Sequence, residues 1–331
     1  MKDNVCIVTV TYGQRYKYLK EILKKLEENY YVNNIVLVNN AGELPKEFAL
    51  EFKTQIHLID LDENYGSAYG YHLGLDFASN VSDSKYVFLL DDDNLPEDNC
   101  IENLIEVYTE KKIENKNFAL LALREDRKDF MKVASGVNPK KVFTTKNAFL
   151  GWHFKDIFAK LVRKLKRNVP FEGEFVESQT VPFGPYGGLF FERDLLDIIG
   201  LPKVEFFLYC DDYEYTHRIN KQLGKIFLIP TSRIEDIDQT WFVKERAGFF
   251  KSFLTSPSSY RIYYSIRNRV YFENKNFVRN KIMYNINKFI FLSNVYIYAK
   301  LLNQNERLEL ILKAIQHGEK GILGQNQNIK Q

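Results

Sequence analysis

Cysteine is scarce in this 331-residue chain: Cys6, Cys100 and Cys210 are the only three, widely spaced and odd in number. No disulfide framework and no zinc-type spacing can be built from them, which points to a reducing compartment. Long apolar runs are missing as well; none reaches the ~18 residues that a spanning helix needs. The opening Met1-Lys2-Asp3-Asn4 passes straight into a strand-like stretch, without the pattern of a secretory signal. A formal net charge of only +3 is too small to argue for a nucleic-acid partner. There is no internal repeat. The consistent expectation is a cytoplasmic protein, at most peripheral on the inner face of the cytoplasmic membrane.

Glycine-dense phosphate loops are absent too. No G-x-G-x-x-G follows the first strand, which weighs against a dinucleotide oxidoreductase. Thr11-Tyr12-Gly13-Gln14-Arg15 lacks the glycine density of a nucleotidyltransferase loop, although that class shares an acidic metal site and stays the alternative enzyme reading, beside a non-catalytic nucleotide-sugar-binding protein.

What is present is ordinary folded composition, 45% hydrophobic and 27% charged, with enough aromatic residues to fill a core and to wall a sugar site. Residues 5–11 are apolar and β-branched and read as a buried strand, followed by a helix with Leu19, Ile22, Leu23 and Leu26 at helical spacing. A strand at 34–38, a helix at 45–52, a strand at 56–61, a loop at 64–70 running into a helix, and a strand at 86–90 come next. Such alternation predicts an α/β fold with a mostly parallel central sheet and flanking helices. Ligands of such sheets lie at the carboxyl ends of the strands, and Thr11 to Arg15, Asn39-Asn40 and Asp91 to Asp93 all sit there. A helix at 101–111 and a strand at 118–122 follow; 124–181 is irregular, and the chain turns helical from about 260. The tail after Gly318 loses its periodicity and is expected to fray.

Asp91-Asp92-Asp93 is the first cluster with chemistry in it. Carboxylates this close repel, and burial would raise their pKa values. A hard cation such as Mg²⁺ or Mn²⁺ removes that cost and bridges carboxylates to phosphates. Alternation along the strand directs Asp91 and Asp93 to the metal and nucleotide, with Asp92 turned aside or toward the ribose. Asp211-Asp212-Tyr213-Glu214 is the second cluster; as a helix start it would carry caps and a Glu214–Arg218 pair.

At this point the chain resembles the family 2 glycosyltransferases of the GT-A fold, and within them the bacterial galactofuranosyl- and rhamnosyltransferase branch. The resemblance is carried by the start Val8-Thr9-Val10-Thr11-Tyr12-Gly13-Gln14-Arg15, by Asn39-Asn40-Ala41, by the loop Asn64-Tyr65-Gly66-Ser67-Ala68-Tyr69-Gly70 with Gly74, and by Asp91-Asp92-Asp93. Gly187-Gly188 with Phe190, Asp211-Asp212-Tyr213-Glu214-Tyr215-Thr216-His217-Arg218, and Tyr263-Tyr264-Ser265-Ile266-Arg267-Asn268 complete it. It implies an inverting, metal-dependent transfer from a nucleotide-diphosphate sugar, UDP-galactofuranose before dTDP-rhamnose, to a glycan or lipid-linked glycan acceptor. By the same resemblance Asp212 is the general base, with Asp211 and Glu214 positioning hydroxyls. Thr11, Tyr12, Arg15, Asn40, Asn64, Gly66, Asp91 and Asp92 face the donor, while Gly187 and Gly188 lie on the acceptor side; Trp241 would either stack there on a sugar face or anchor its loop in the core.

Two departures stand out. Tyr69 replaces a family glycine, which puts close backbone approach there in question. The histidine that usually ligates the metal after the base is missing, since no histidine lies between His217 and His317. Asp236 is the expected replacement, with Glu235 and Asp238 behind it, giving Asp91, Asp93 and Asp236 as the set for Mn²⁺ or Mg²⁺. The domain expectation is a catalytic domain over 1–255 (nucleotide half 1–123, basic insert 124–181, acceptor half 182–255) and a helical region over 256–331. Residues 155–168 carry Lys155, Lys160, Arg163, Lys164, Lys166 and Arg167 against Asp156. They read either as a peripheral membrane contact or as a plain surface helix. The apolar stretch 289–302 reads as a packing helix or a homo-oligomer contact.

Overall fold

The computed structural model describes residues 3–81, 83–143, 146–155, 174–222, 224–238 and 249–329. Trp241 and most of the basic 155–168 segment lie outside them. The chain divides into two compact units: Met1–Pro139 with Glu174–Val204 and Asp211–Gln239, and Lys140–Gly173 with Glu205–Cys210 and Thr240–Gln331.

The first unit is built on a nine-stranded sheet in the order β3-β2-β1-β4-β8-β6-β9-β5, with β7 also on β9. Its strands are β1 (Val5–Gly13), β2 (Val32–Gly42), β3 (Gln55–Leu61), β4 (Tyr86–Asp91), β5 (Asn94–Pro96), β6 (Phe118–Arg124), β7 (Gln179–Val181), β8 (Leu189–Glu192) and β9 (Lys225–Asp236). Strands β3, β2, β1 and β4 are parallel, as the sequence alternation predicts. Strand β8 runs against both β4 and β6. Strand β6 therefore runs the same way as β4, and β9 is parallel to β6. This topology has one functional consequence: the carboxyl ends of β1, β2, β4, β6 and β9 lie along a single edge.

Helices α1 (Tyr16–Glu27), α2 (Gly66–Val81), α3 (Cys100–Lys112), α4 (Lys128–Ala134), α5 (Leu195–Ile199) and α6 (Asp211–Lys221) belong to the same unit. The apolar stripe of α1 is buried as read, with Leu19, Ile22, Leu23 and Leu26 in one core with Val5, Ile7, Ile35 and Leu37. Helix α2 packs against β1 through its glycines: a Cβ on Gly70 would lie 2.6 Å from Val10 Cγ1, and one on Gly74 the same distance from Val8 Cγ1. The close approach thus comes at Gly70 and Gly74, while Tyr69 stacks on His72 and lies tilted against Tyr65. The helix expected at 45–52 is only a short 3₁₀ turn, Phe48–Glu51.

The register of β6 on β9 jumps from Ala122↔Ile229 to Leu123↔Arg233, so Pro230, Thr231 and Ser232 bulge out. Proline cannot donate to a ladder, which explains where the break falls. Beyond the bulge β9 pairs antiparallel with β5, and Asn94 faces Asp236.

The second unit is helical, with α7 (Phe249–Thr255), α8 (Ser259–Asn276), α9 (Lys281–Leu301) and α10 (Asn305–Lys320). Its core joins Phe149, Trp152 and Phe207 to Tyr263, Tyr264, Phe291, Val295 and Ile311. Here the Arg267-Asn268 pair has an internal task. Asn268 Nδ2 donates to the carbonyls of Phe206, Leu208 and Tyr209 at 2.8–2.9 Å, and Arg267 donates to Gly324 O and, at 3.0 Å, to Phe206 O. These bonds hold a loop in which Phe207, Tyr209 and Cys210 all have positive φ. The tail expected to fray is instead tied down: Asn326 donates through its backbone N–H to Tyr264 Oη and through its side chain to Tyr263 Oη. Periodicity reports on helices and misses such side-chain anchoring. Helix α9 buries Tyr284, Asn287, Phe291, Val295 and Ala299. No helix among the described residues is long and apolar enough to cross a membrane.

Candidate active site

The edge where the parallel strands end gathers almost every residue singled out in the sequence. Thr11, at the end of β1, donates to Asp92 Oδ2 at 2.7 Å. Arg15, in the turn to α1, reaches Asp92 Oδ1 at 2.8 Å, Asp238 Oδ2 at 2.6 Å, and Asp93. Its guanidinium lies over the rings of Tyr12 and Tyr18, at 5.8 and 5.5 Å, an arrangement that favours a cation. Tyr12 itself is exposed.

Asn40 closes the turn before α2. Its Nδ2 donates to Asn64 Oδ1 at 2.9 Å and to Gly66 O at 3.2 Å, and its Oδ1 accepts from the Tyr65 N–H. Asn64 Oδ1 also accepts from the Gly66 N–H, where φ is +83°. The end of β2 is thereby tied to the start of α2.

The three aspartates diverge. Asp91 Oδ1 accepts from Tyr71 Oη at 2.9 Å and Oδ2 from Arg124 at 2.9 Å. Asp92 is held by Thr11 and Arg15, and Asp93 by Arg15 and Asn94. Burial pushes Asp92 up to about 6 against the pull of Arg15 and Thr11. Burial, then the charges of Asp91 and Asp236, push Asp93 up as well.

Arg124, Asp126 and Tyr71 are functional candidates that sequence reasoning missed. Arg124 ends β6 and is 2% exposed, yet it meets Asp91, Asp126 at 3.2 Å and Asp236 at 2.7 Å. A signal was available: Arg124-Glu125-Asp126-Arg127 follows an apolar strand as Asp91 to Asp93 follow theirs. Gly187 and Gly188 cover this group. A Cβ on Gly187 would lie 2.0 Å from Asn94 Oδ1 and 2.7 Å from Asp91 Oδ2, so only glycine fits; Gly188 has φ +100°.

The second cluster starts α6. Asp211 Oδ2 accepts from Ser67 Oγ at 2.9 Å, and Asp212 Oδ1 from the Tyr213 N–H at 2.7 Å. Both carboxyls are pushed up, by burial first; for Asp212 the neighbouring Asp211 charge adds to it, and Asp91 contributes further. Buried tyrosines run from one cluster's strand end to the other's helix: Tyr71 bonds Asp91 and stacks on Tyr186 with ring centroids 4.1 Å apart, and Tyr186 lies 5.8 Å from the ring of Tyr215 on α6. Glu214 is turned elsewhere, onto Lys203 at 2.7 Å and Arg218 at 3.2 Å. Arg218 also donates to the carbonyls of Ile199 and Leu201, which makes it a strut between α5 and α6.

Among the described residues no three His, Cys, Asp or Glu side chains form a ready-made metal cage. In kind, the oxygens nonetheless fit a hard divalent cation. Asp236 Oδ1 is buried without a hydrogen-bond partner, Asp93 feels the charges of Asp91 and Asp236, and Asp236 feels that of Asp91. Asp236 lies opposite Asn94 on the ladder, beside the Asp91 to Asp93 turn. Glu235 pairs with Leu95 on the ladder, and Asp238 is committed to Arg15.

The family model described as "Glycosyl transferase family 2" matches residues 6–172, just over half of the chain. No curated protein matches. Among solved structures, the chain is similar to GalNAc-T7 with UDP, GalNAc and Mn²⁺, at TM-score 0.51 and 13% identity over 70% of this chain and 43% of that one. It is similar to the mannosyltransferase PcManGT from Pyrobaculum calidifontis in complex with GDP-Man and Mn²⁺, at TM-score 0.48 and 16% identity over 97% and 76% of the two chains. A third is S. aureus TarS 1-349, at TM-score 0.45 and 12% identity over 96% and 92%. The chain spans less than half the length of the GalNAc-T7 chain, and that likeness is one of fold.

Proposed function

This chain belongs to glycosyltransferase family 2, and from that premise we propose that it is an inverting, divalent-metal-dependent enzyme that moves a sugar from a nucleoside diphosphate to a glycan or lipid-linked glycan hydroxyl. The observation that carries this reading is the pair of acidic clusters, one at the end of β4 and one at the start of α6, with the rings of Tyr71, Tyr186 and Tyr215 packed in series between their elements. UDP and Mn²⁺ in the GalNAc-T7 structure support a nucleotide and a metal in this chain too.

On the donor side, Asn40 and Asn64 fix the turn that leads into α2 at Gly66, where the base and ribose are read, and Thr11, Tyr12, Arg15 and Asp92 form its floor. Asp91, Asp93 and Asp236 are the residues that would hold Mn²⁺ or Mg²⁺. Bound there, the cation would supply Lewis-acid stabilisation of the departing diphosphate. On the acceptor side, Asp212 takes the proton from the attacking hydroxyl. The acceptor oxygen then bonds to the anomeric carbon as the carbon–oxygen bond to the diphosphate breaks, with inversion. A carboxylate raised toward neutral pH is a stronger base than a free one, and such help is typically worth ~10²–10⁴-fold in rate. Asp211 tunes Asp212 by its charge, while Gly187 and Gly188 keep the floor of the site thin.

The Asp-Asp-x-Glu-Tyr-x-x-Arg run favours UDP-galactofuranose, with dTDP-rhamnose next; the acceptor class, peripheral contact with the inner membrane face, and assembly into homo-oligomers rest on resemblance and composition. The test is donor turnover. Purified protein is incubated with UDP-galactofuranose, dTDP-rhamnose and UDP-galactose, with Mn²⁺ or with EDTA, and released nucleoside diphosphate is measured. Metal-dependent release from one donor, abolished in Asp212→Asn, is expected; no release from any donor beyond the EDTA control overturns the reading.

A further inference from the structure

Arg124 is the most committed side chain of the site. It is 2% exposed, and its guanidinium spans carboxylates from three separate elements: Asp91 at the end of β4, Asp126 after β6 and Asp236 at the end of β9. Its Nη1 also donates to Asn94 Oδ1 at 3.3 Å. The Gly187 backbone closes over Asn94, Asp91 and Arg124 so tightly that no Cβ can enter. A group so placed cannot be a loosely held counter-ion.

The distribution of its bonds is informative. Arg124 takes Oδ2 of Asp91 and Oδ2 of Asp236, while Asp236 Oδ1 stays buried with no partner. A carboxylate gripped by one oxygen, with the other desolvated and bare, has the arrangement of a ligand held ready. We propose that Arg124 is a positioning residue for the metal site: by holding Asp236 through Oδ2 it keeps the bare Oδ1 oriented for the cation. The inference rests on the metal-dependent reading above. Its chemistry is that of ligating carboxylates oriented by a second hydrogen-bonding partner, whose loss typically costs 10–100-fold in metal affinity. Lysine cannot replace arginine here, because an ammonium lacks the planar fork needed to reach three carboxylates.

The experiment uses Mn²⁺ alone as the probe and reads free Mn²⁺ by electron paramagnetic resonance on the full chain. Wild type, Arg124→Lys, Arg124→Met, Asp236→Asn and the Arg124→Met/Asp236→Asn double variant are titrated, with circular dichroism to establish folding. Both Arg124 variants and Asp236→Asn are expected to weaken Mn²⁺ about 10-fold or more, and the double variant to be no weaker than the worse single one. Unchanged or tighter Mn²⁺ binding in folded Arg124→Met overturns the proposal, since the guanidinium would then be a competing charge. Additive losses overturn it as well, because Arg124 would not act through Asp236. If Arg124→Met fails to fold, Arg124→Lys decides by the same criterion. Wild-type protein that takes up no Mn²⁺ overturns the metal reading itself, a result distinct from the failure of Arg124 alone.

Discussion

Asp211 and Asp212 share a buried helix start, so neither ionises without the other's charge being felt. Two predictions belong to this residue scale. If Asp212 is the base, kcat/KM rises with pH through its raised pKa. Asp211→Asn removes a like charge, lowers that pKa, and moves the rising limb of the pH–rate profile to lower pH; an unmoved limb would count against the assignment. Asp212→Asn is expected to lose ~10²-fold or more in kcat. The same shifts bear on stability. A carboxyl whose folded pKa lies above its unfolded value contributes stability at low pH that is lost as pH rises through the folded pKa. At pH 8, Asp211→Asn should therefore be the more stable protein, by on the order of 1 kcal/mol or about 2–4 °C in Tm. The gain should vanish near pH 4, and thermal scans at the two pH values check it.

At the scale of elements, helix α2 carries the donor loop at its first turn and is seated on β1 by Gly70 and Gly74. A methyl at Gly74 would meet Val8 Cγ1 at 2.6 Å, inside any real contact. Gly74→Ala should cost about 1–3 kcal/mol in denaturant unfolding. It should also weaken nucleotide binding, because Asn64 and Gly66 move with the helix. Adding Val8→Ala opens the space and should restore nucleotide affinity more than stability, since it removes core volume too. A double variant no better than Gly74→Ala would argue against steric coupling. The bulge at Pro230, Thr231 and Ser232 is a comparable device in β9, since it turns the strand end so that Asp236 faces Asn94.

At the scale of the molecule, each unit has its own core and its own polar pins. In the helical unit, Asn268 serves three carbonyls of the 206–209 loop at once, one buried and two partly buried. Asn268→Ala leaves them without that donor, at a cost on the order of 2–3 kcal/mol. Faster hydrogen exchange in residues 205–210 and a lowered unfolding midpoint, followed by Trp152 fluorescence, are the expected results. Unchanged exchange would mean that the loop holds itself.

The sequence by itself determined the strand-helix alternation, the apolar face of α1, and the residues that gather at the strand ends, because periodicity and the chemistry of Asp, Asn and Gly are local properties. The family's ordered motifs were legible for the same reason. Only the tertiary structure decided which charges meet. Arg124 is separated from Asp91 by more than thirty positions and from Asp236 by more than a hundred, and no local pattern pairs them. The antiparallel strand β8 makes β6 run beside β4 in the same direction, and the β9 bulge delivers Asp236. Three neighbouring aspartates became three different environments because Asp91 found Tyr71 and Arg124, Asp92 found Thr11 with Arg15, and Asp93 shares Arg15 and takes Asn94. Burial then raised Asp92, Asp93, Asp211 and Asp212, a property of the folded interior that no stretch of sequence contains.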